Sequence, residues 1–473
     1  MFQRLLAAVV VCFLAACGST SRYQVRGTET PIPPTEDFTV DTLETSRDAQ
    51  LNFEARSVEH FDDMSLGVLE ITDDGVINPA QKKQVFDLVK ERIKNKDALL
   101  VVFVHGWHHG PHVCDRDLAC FRRILARLAN SKELLSRNVE VTGIYVGWRG
   151  ESMSSPWNNF TLWGRKRVAQ HIGRTGAKEA LLELDAIHHE AKEAHPSRYL
   201  TMITVGHSLG GALVFSAMKG LATGDGSGVI EGSTKGQTWR VVRAEGDRVA
   251  AARKGVKATR ARLGDLVVLV NPAIEAHEYK AFDADLPDSE PGKYRPPPDK
   301  ALPYDPDQLP VLMAIASEAD KAVGVAFVAG RWVSAFRDPS IAADPAKRIG
   351  IGHYGAHVTH TVSYPDVEFK ETPQQCGCPK QFDAPVNIDE KPLDVASRET
   401  QDFGDLEFKL ARDPASWDVH SPYLVVRASR GVMREHSDIY NPVFVEFLTK
   451  FIRGYYARSV EVQQKNAAQT SVR

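Results

Sequence analysis

Residues 98–104 read Ala-Leu-Leu-Val-Val-Phe-Val, an unbroken apolar run rich in β-branched side chains. A run of this length that never alternates with polar residues fits a strand buried on both faces. Strands covered on both faces belong to parallel sheets layered between helices. Five more strand-like segments follow, at 139–146, 199–205, 265–270, 310–316 and 422–428. Segments of helical period fall between them, over 118–129, about 165–194 and 209–222, and a closing helix is expected over 442–453. This alternation predicts an α/β architecture, a mostly parallel twisted sheet of about eight strands with helices on both faces. One or two strands near 53–58 and 65–71 would complete the sheet.

Three stretches break the rhythm. Residues 223–262 are Gly-rich and then basic, with Arg240, Arg243, Arg248, Arg253, Lys254, Lys257, Arg260 and Arg262. Because Glu245 and Asp247 interleave, a solvated excursion is favoured over an anionic-lipid patch. Residues 285–310 are Pro-rich and read as loop. Residues 325–420 show weak periodicity and read as a lid or cap inserted into the sheet domain. The chain carries 58 Lys+Arg against 61 Asp+Glu, a formal net charge of -3. That balance gives no global pull toward nucleic acid, and no nucleic-acid-binding motif is present.

The N-terminus points to export. Arg4 precedes an apolar run from Leu5 to Ala16, shorter than the roughly 20 residues that span a bilayer. The run ends in Leu14-Ala15-Ala16-Cys17, followed by Gly18-Ser19-Thr20. This resembles a bacterial lipobox. The resemblance implies a signal peptide over 1–17 and a lipidated Cys17 in the cell envelope. Gly18 in place of Asp points to the outer membrane. Two or three acyl chains anchor stably where one does not. Residues 18–50 are polar, with Pro31, Pro33 and Pro34, and read as a tether to a domain over 51–473. Cys114, Cys120, Cys376 and Cys378 remain, an even number that suggests disulfides in an exported chain. Cys114–Cys120 would close a local loop, and Cys376 and Cys378 would pair with each other or elsewhere. His112 lies near Cys114, but the spacings match no standard zinc pattern, so no metal is expected.

Gly206-His207-Ser208-Leu209-Gly210-Gly211 stands between a strand and a helix. The bare Gly-x-Ser-x-Gly pattern would occur by chance roughly 0.2 times in a chain of this length. Its place between strand and helix makes it specific: a sharp turn there exposes the Ser hydroxyl, and the glycines let neighbouring backbone pass close. With Val104-His105-Gly106-Trp107-His108-His109-Gly110 after the first strong strand, the core from about 98 to 453 resembles the α/β-hydrolase superfamily, closest to its lipase- and esterase-like members.

The resemblance implies Ser208 as nucleophile and the backbone N–H groups of Trp107 and Leu209 as oxyanion donors. The acid should follow the strand at 310–316, where Asp320 is favoured over Glu318. The base should follow the last strand, where His436 is favoured over His353, His357, His360 and His420. His105 would support its loop. His108 and Trp148 would lie at the substrate rim, although core packing suits Trp148 equally. The implied activity is hydrolysis of lipid or small acyl esters without a cofactor. Amide, thioester or peptide cleavage by the same residues stays open, as does a non-catalytic envelope protein on a hydrolase scaffold.

Overall fold

The computed structural model describes residues 57–111, 115–150, 162–223, 263–281, 307–321, 341, 343–370, 378–379, 381, 384–397, 399–412 and 420–471. The expectations for Cys17, the 18–50 tether, the basic stretch 224–262, Cys114 and Cys376 lie outside these residues. Among the described residues no helix is long and apolar enough to cross a membrane.

The apolar runs become β3 (Ala98–Val104), β4 (Glu140–Trp148), β5 (Leu200–His207), β6 (Leu266–Val270), β7 (Leu312–Ser317) and β11 (Tyr423–Ala428). Before them come β1 (Val58–His60) and β2 (Met64–Ile71). β8 (His360–Ser363), β9 (Gln401–Phe403) and β10 (Leu406–Leu410) precede β11 in the chain. All eleven form one sheet in the order β1-β2-β4-β3-β5-β6-β7-β11-β8-β10-β9. Neighbours from β2 across to β8 pair in parallel, while β1, β10 and β9 pair antiparallel at the two edges.

The period of two sorts side chains onto two cores. On β3, Ala98, Leu100, Val102 and Val104 face one side, and Leu99, Val101 and Phe103 the other. The first side is covered by α1 (Pro79–Arg92), α3 (Leu162–Arg174), α4 (Gly176–Ala194) and α5 (Leu209–Thr223). The second is covered by α2 (Arg116–Ala129) and α6 (Pro442–Ser471). Asn78 caps α1 by accepting from the N–H groups of Ala80 and Gln81, with Pro79 at the first turn.

Two expectations need correction. Among the described residues the sheet has eleven strands and not about eight, because part of the 325–420 segment extends the sheet past β11 and does not cap it. These added strands alternate: Leu406 and Phe408 are buried while Glu407 and Lys409 turn outward. A half-solvated antiparallel edge leaves no continuous apolar run to recognise. The second correction concerns the cysteines. Cys120, on the inner face of α2, is bonded to Cys378, with 4.7 Å between their Cα atoms. Each sulfur makes one such bond, so neither Cys114–Cys120 nor Cys376–Cys378 forms, and Cys378 pairs elsewhere, the second of the two outcomes expected for it. Closeness in sequence was a poor guide because the helix directs Cys120 toward the sheet.

The Cys120–Cys378 bond closes a loop across 258 residues, which strongly restricts the unfolded chain. Replacing both by Ala is expected to lower the unfolding free energy by roughly 2–5 kcal/mol. Urea titration of the oxidised protein and of the double variant measures this; coincident midpoints would contradict it.

Candidate active site

From β3 the chain crosses to β4 on one side, and from β4 it returns to β5 on the other. The carboxyl ends of β3 and β5 therefore border a crevice, the place where open α/β sheets bind ligands. Val104 pairs with Gly206 in the β3–β5 register, so the loop after β3 and the turn after β5 begin side by side.

That turn is a single residue, Ser208, between the end of β5 and the start of α5. Its φ is 56°, in the left-handed region that costs an L-residue about 1–2 kcal/mol. Three hydrogen bonds hold it there. Ser208 N donates to the Val270 carbonyl at 2.9 Å, and the Ser208 carbonyl accepts from Ala212 N and Ala273 N, each at 3.1 Å. Glycine is needed beside it. A Cβ on Gly210 would stand 2.3 Å from the carbonyl oxygens of Val104 and His105, and one on Gly106 2.9 Å from Ser208 Cβ.

His436 Nε2 lies 2.6 Å from Ser208 Oγ, and His436 Nδ1 lies 2.7 Å from Asp320 Oδ2. The carboxylate accepts from Nδ1–H, which leaves Nε2 as the acceptor for the Ser208 hydroxyl proton. The Asp320 side chain has no exposed surface, whereas His436 is 20% exposed. Asp320 sits in a turn in which its N–H donates to the Ser317 carbonyl at 3.2 Å. Ser317 Oγ donates to the Met433 carbonyl at 2.6 Å and accepts from Ala319 N at 3.1 Å. Glu318 turns away, its Oε1 accepting from Arg430 N at 3.0 Å. His360, one of the rival bases, stacks on Phe408, and burial pushes its pKa down to about 4.

Two side chains with no role in the sequence reading also reach this site. Asn271 Nδ2 and His207 Nε2 both donate to the His436 carbonyl, at 2.9 Å and 3.1 Å. Burial, with His436 nearby, holds the His207 pKa well below its usual range, so its ring is neutral. An Asn-Pro step at the carboxyl end of β6, next to the strand that leads into Ser208, was the available signal for Asn271.

The loop after β3 is built on imidazoles in different states. His105 is fully buried, and burial lowers its pKa to about 4. Its Nδ1–H donates to the Gly106 carbonyl at 2.9 Å, while its Nε2 accepts from Trp148 N at 3.0 Å. Trp148 Nε1 donates back to the His105 carbonyl at 2.9 Å, and the two rings lie nearly parallel. The rim position expected for Trp148 is thus corrected: its exposure is 0%, and it holds the loop from below. His108 is exposed, at φ 70°, with its ring 4.1 Å from that of Trp107.

His109 has Asp115 Oδ1 3.2 Å from Nδ1 and Asp117 Oδ1 3.4 Å from Nε2. Burial opposes its protonation, yet Asp117 and Asp115 together raise its pKa to about 9. Asp115 also accepts from Gly110 N at 2.9 Å. Donor atoms of His109, Asp115 and Asp117 all lie within 4.8 Å of one another, as metal ligands would. Both imidazole nitrogens face carboxylates, however, so the arrangement is that of a half-buried imidazolium.

No protein-family model, curated protein or solved structure matches this chain.

Ser208→Gly should stabilise the fold by about 1 kcal/mol over Ser208→Ala, since only glycine relieves the left-handed backbone. Calorimetry of the two variants decides this, and equal melting temperatures would contradict a strained turn. His109 contributes stability that is fully present below about pH 6.5 and lost as pH rises through about 9. The stability gap between wild type and His109→Gln should therefore shrink by about 2–3 kcal/mol from about pH 7 to about pH 10. Denaturant titrations across that range measure the gap; a constant gap would mean that His109 is uncharged.

Proposed function

We propose that the chain is a serine hydrolase of the α/β-hydrolase kind, held at a bacterial membrane by a lipidated Cys17 and cleaving carboxylic esters of lipids or small acyl groups. The observation that carries the reading is the linear array of Ser208 Oγ, His436 and Asp320 at 2.6 Å and 2.7 Å, with Ser208 in a strained strand-to-helix turn. A hydroxyl becomes a nucleophile when a positioned base accepts its proton and a third group orients that base.

In this reading Ser208 Oγ attacks the ester carbonyl carbon as its proton passes to His436 Nε2. Asp320 keeps Nδ1–H in place and stabilises the imidazolium. The carbonyl oxygen gains the negative charge. Leu209 N–H, in the first turn of α5, is one of the donors that a helix leaves without an internal acceptor. Trp107 follows Gly106, on which a Cβ would stand 2.9 Å from Ser208 Cβ, and in this reading its N–H acts as the second donor. Each such donor supplies about 3 kcal/mol of transition-state stabilisation. The C–O bond to the alcohol then breaks, and His436 returns the proton to the leaving oxygen. Water, deprotonated by the same imidazole, hydrolyses the acyl-enzyme and regenerates Ser208. None of these steps draws on a cofactor. In this reading the exposed His108, in the loop after β3, would touch the acyl or alcohol group.

The test is turnover of p-nitrophenyl esters from acetate to palmitate by the wild type and Ser208→Ala. The variant is expected to lose at least about 10³-fold in kcat, and the chain-length profile separates short-ester from lipid specificity. Equal rates in the two proteins, or no turnover by a folded wild type, would overturn the ester-hydrolase reading. Cys17→Ser is expected to move the protein from the membrane to the soluble envelope fraction, as followed by immunoblot.

A further inference from the structure

We infer that Asn271 is a positioning residue, which with His207 sets where the imidazole of His436 stands; the inference rests on the hydrolase reading above. His436 lies in the connection between β11 and α6, outside any strand pairing. Its main chain is instead fixed from across the site, where its carbonyl oxygen accepts from both Asn271 Nδ2 and His207 Nε2, at 2.9 Å and 3.1 Å. Two donors occupy both lone pairs of that oxygen.

The other end of the Asn271 amide accepts from Ser317 N at 2.8 Å, in the turn that carries Asp320. A single rigid amide plane thus spans from the acid's turn to the base's backbone. His207, the residue before the nucleophile, ties the same carbonyl to Ser208. The base is thereby referenced to both of its partners through one atom, and the 2.6 Å and 2.7 Å contacts of its ring follow from that placement.

The residue type fits the task. Asn271 has φ 43°, a left-handed conformation that Asn tolerates better than most residues. Its backbone N–H donates to the Ile315 carbonyl at 2.8 Å, so the turn itself is pinned to β7. Its side chain must offer an acceptor on one side and a donor on the other. Asp keeps the shape and tolerates the same backbone, but when ionised it has no donor. Gly keeps the backbone and loses both bonds.

Asn271→Gly and Asn271→Asp test this, using p-nitrophenyl ester turnover and the rate and endpoint of phosphonylation by a fluorophosphonate. In Asn271→Gly, kcat should fall about 10- to 100-fold with KM unchanged. Phosphonylation should slow in parallel but still reach one adduct per chain. Position 271 is fully buried, which pushes a carboxyl there well above its ordinary range, so in Asn271→Asp activity relative to wild type should rise as pH falls from about 9 toward about 5, because only the protonated carboxyl can donate to the His436 carbonyl. The corresponding ratio for Asn271→Gly should stay flat.

Wild-type kcat in a folded variant, or an activity loss matched by a lost endpoint, would overturn the inference. So would a pH-independent ratio for Asn271→Asp, and that measurement decides alone if the Gly variant does not fold. A folded wild type that neither turns over esters nor takes up the phosphonate overturns the hydrolase reading itself, and this inference with it.

Discussion

The peptide unit of Ser208 is the point to which the carboxyl end of the sheet is fixed. A strand must end and a helix begin within one residue, and that residue must adopt a left-handed backbone costing about 1–2 kcal/mol. The cost is offset by hydrogen bonds to the end of β6 and to Ala273 and Ala212. Close packing of Gly210 against the carbonyls of Val104 and His105 adds a further restraint. The turn therefore cannot relax without parting β5 from its neighbours on both sides. Whatever stands at the carboxyl ends of β3, β6, β7 and β11 is placed relative to this fixed point.

The two-sided apolar core supplies the rigidity and also sets the charge states. The sheet is covered on both faces, so polar groups at its carboxyl end sit in a low-dielectric setting where unpaired charge is costly and paired charge is strong. Three imidazoles within a short distance respond differently. Burial alone dominates at His105 and His207 and keeps them neutral, as donors or acceptors of fixed tautomer. At His109 two carboxylates outweigh burial and keep it charged. The loop after β3 is stiffened by these contacts and by the Trp148 ring beneath His105. A backbone N–H aimed from such a loop would need little reorganisation as charge develops.

What was legible in the sequence follows from how each feature is encoded. Strands buried on both faces leave continuous apolar runs, so β3 to β7 and β11 could be placed within a residue or two. The resemblance supplies the strands after which Asp320 and His436 are expected, and because parallel strands all end on one side, that ordering brings Ser208, Asp320 and His436 together in space. The edge strands β8 to β10 alternate polar and apolar residues and were read as a cap. The Cys120–Cys378 bond depends on which way a helix face points, which spacing alone does not carry. Trp148 was open between rim and core, and the hydrogen bond to His105 decides for the core. The Asn271-Pro272 step marks a turn at the end of β6, but the partner of Asn271 is a backbone atom 165 residues away, which that local signal does not identify.

The most direct measurement is mass mapping of the folded protein after reaction with a fluorophosphonate. One adduct per chain, on the peptide that contains Ser208 and absent when His436 is replaced by Ala, is the result expected if Ser208 is activated as the geometry implies. A folded chain that takes up no phosphonate, or one modified at another serine while Ser208 stays free, would contradict it.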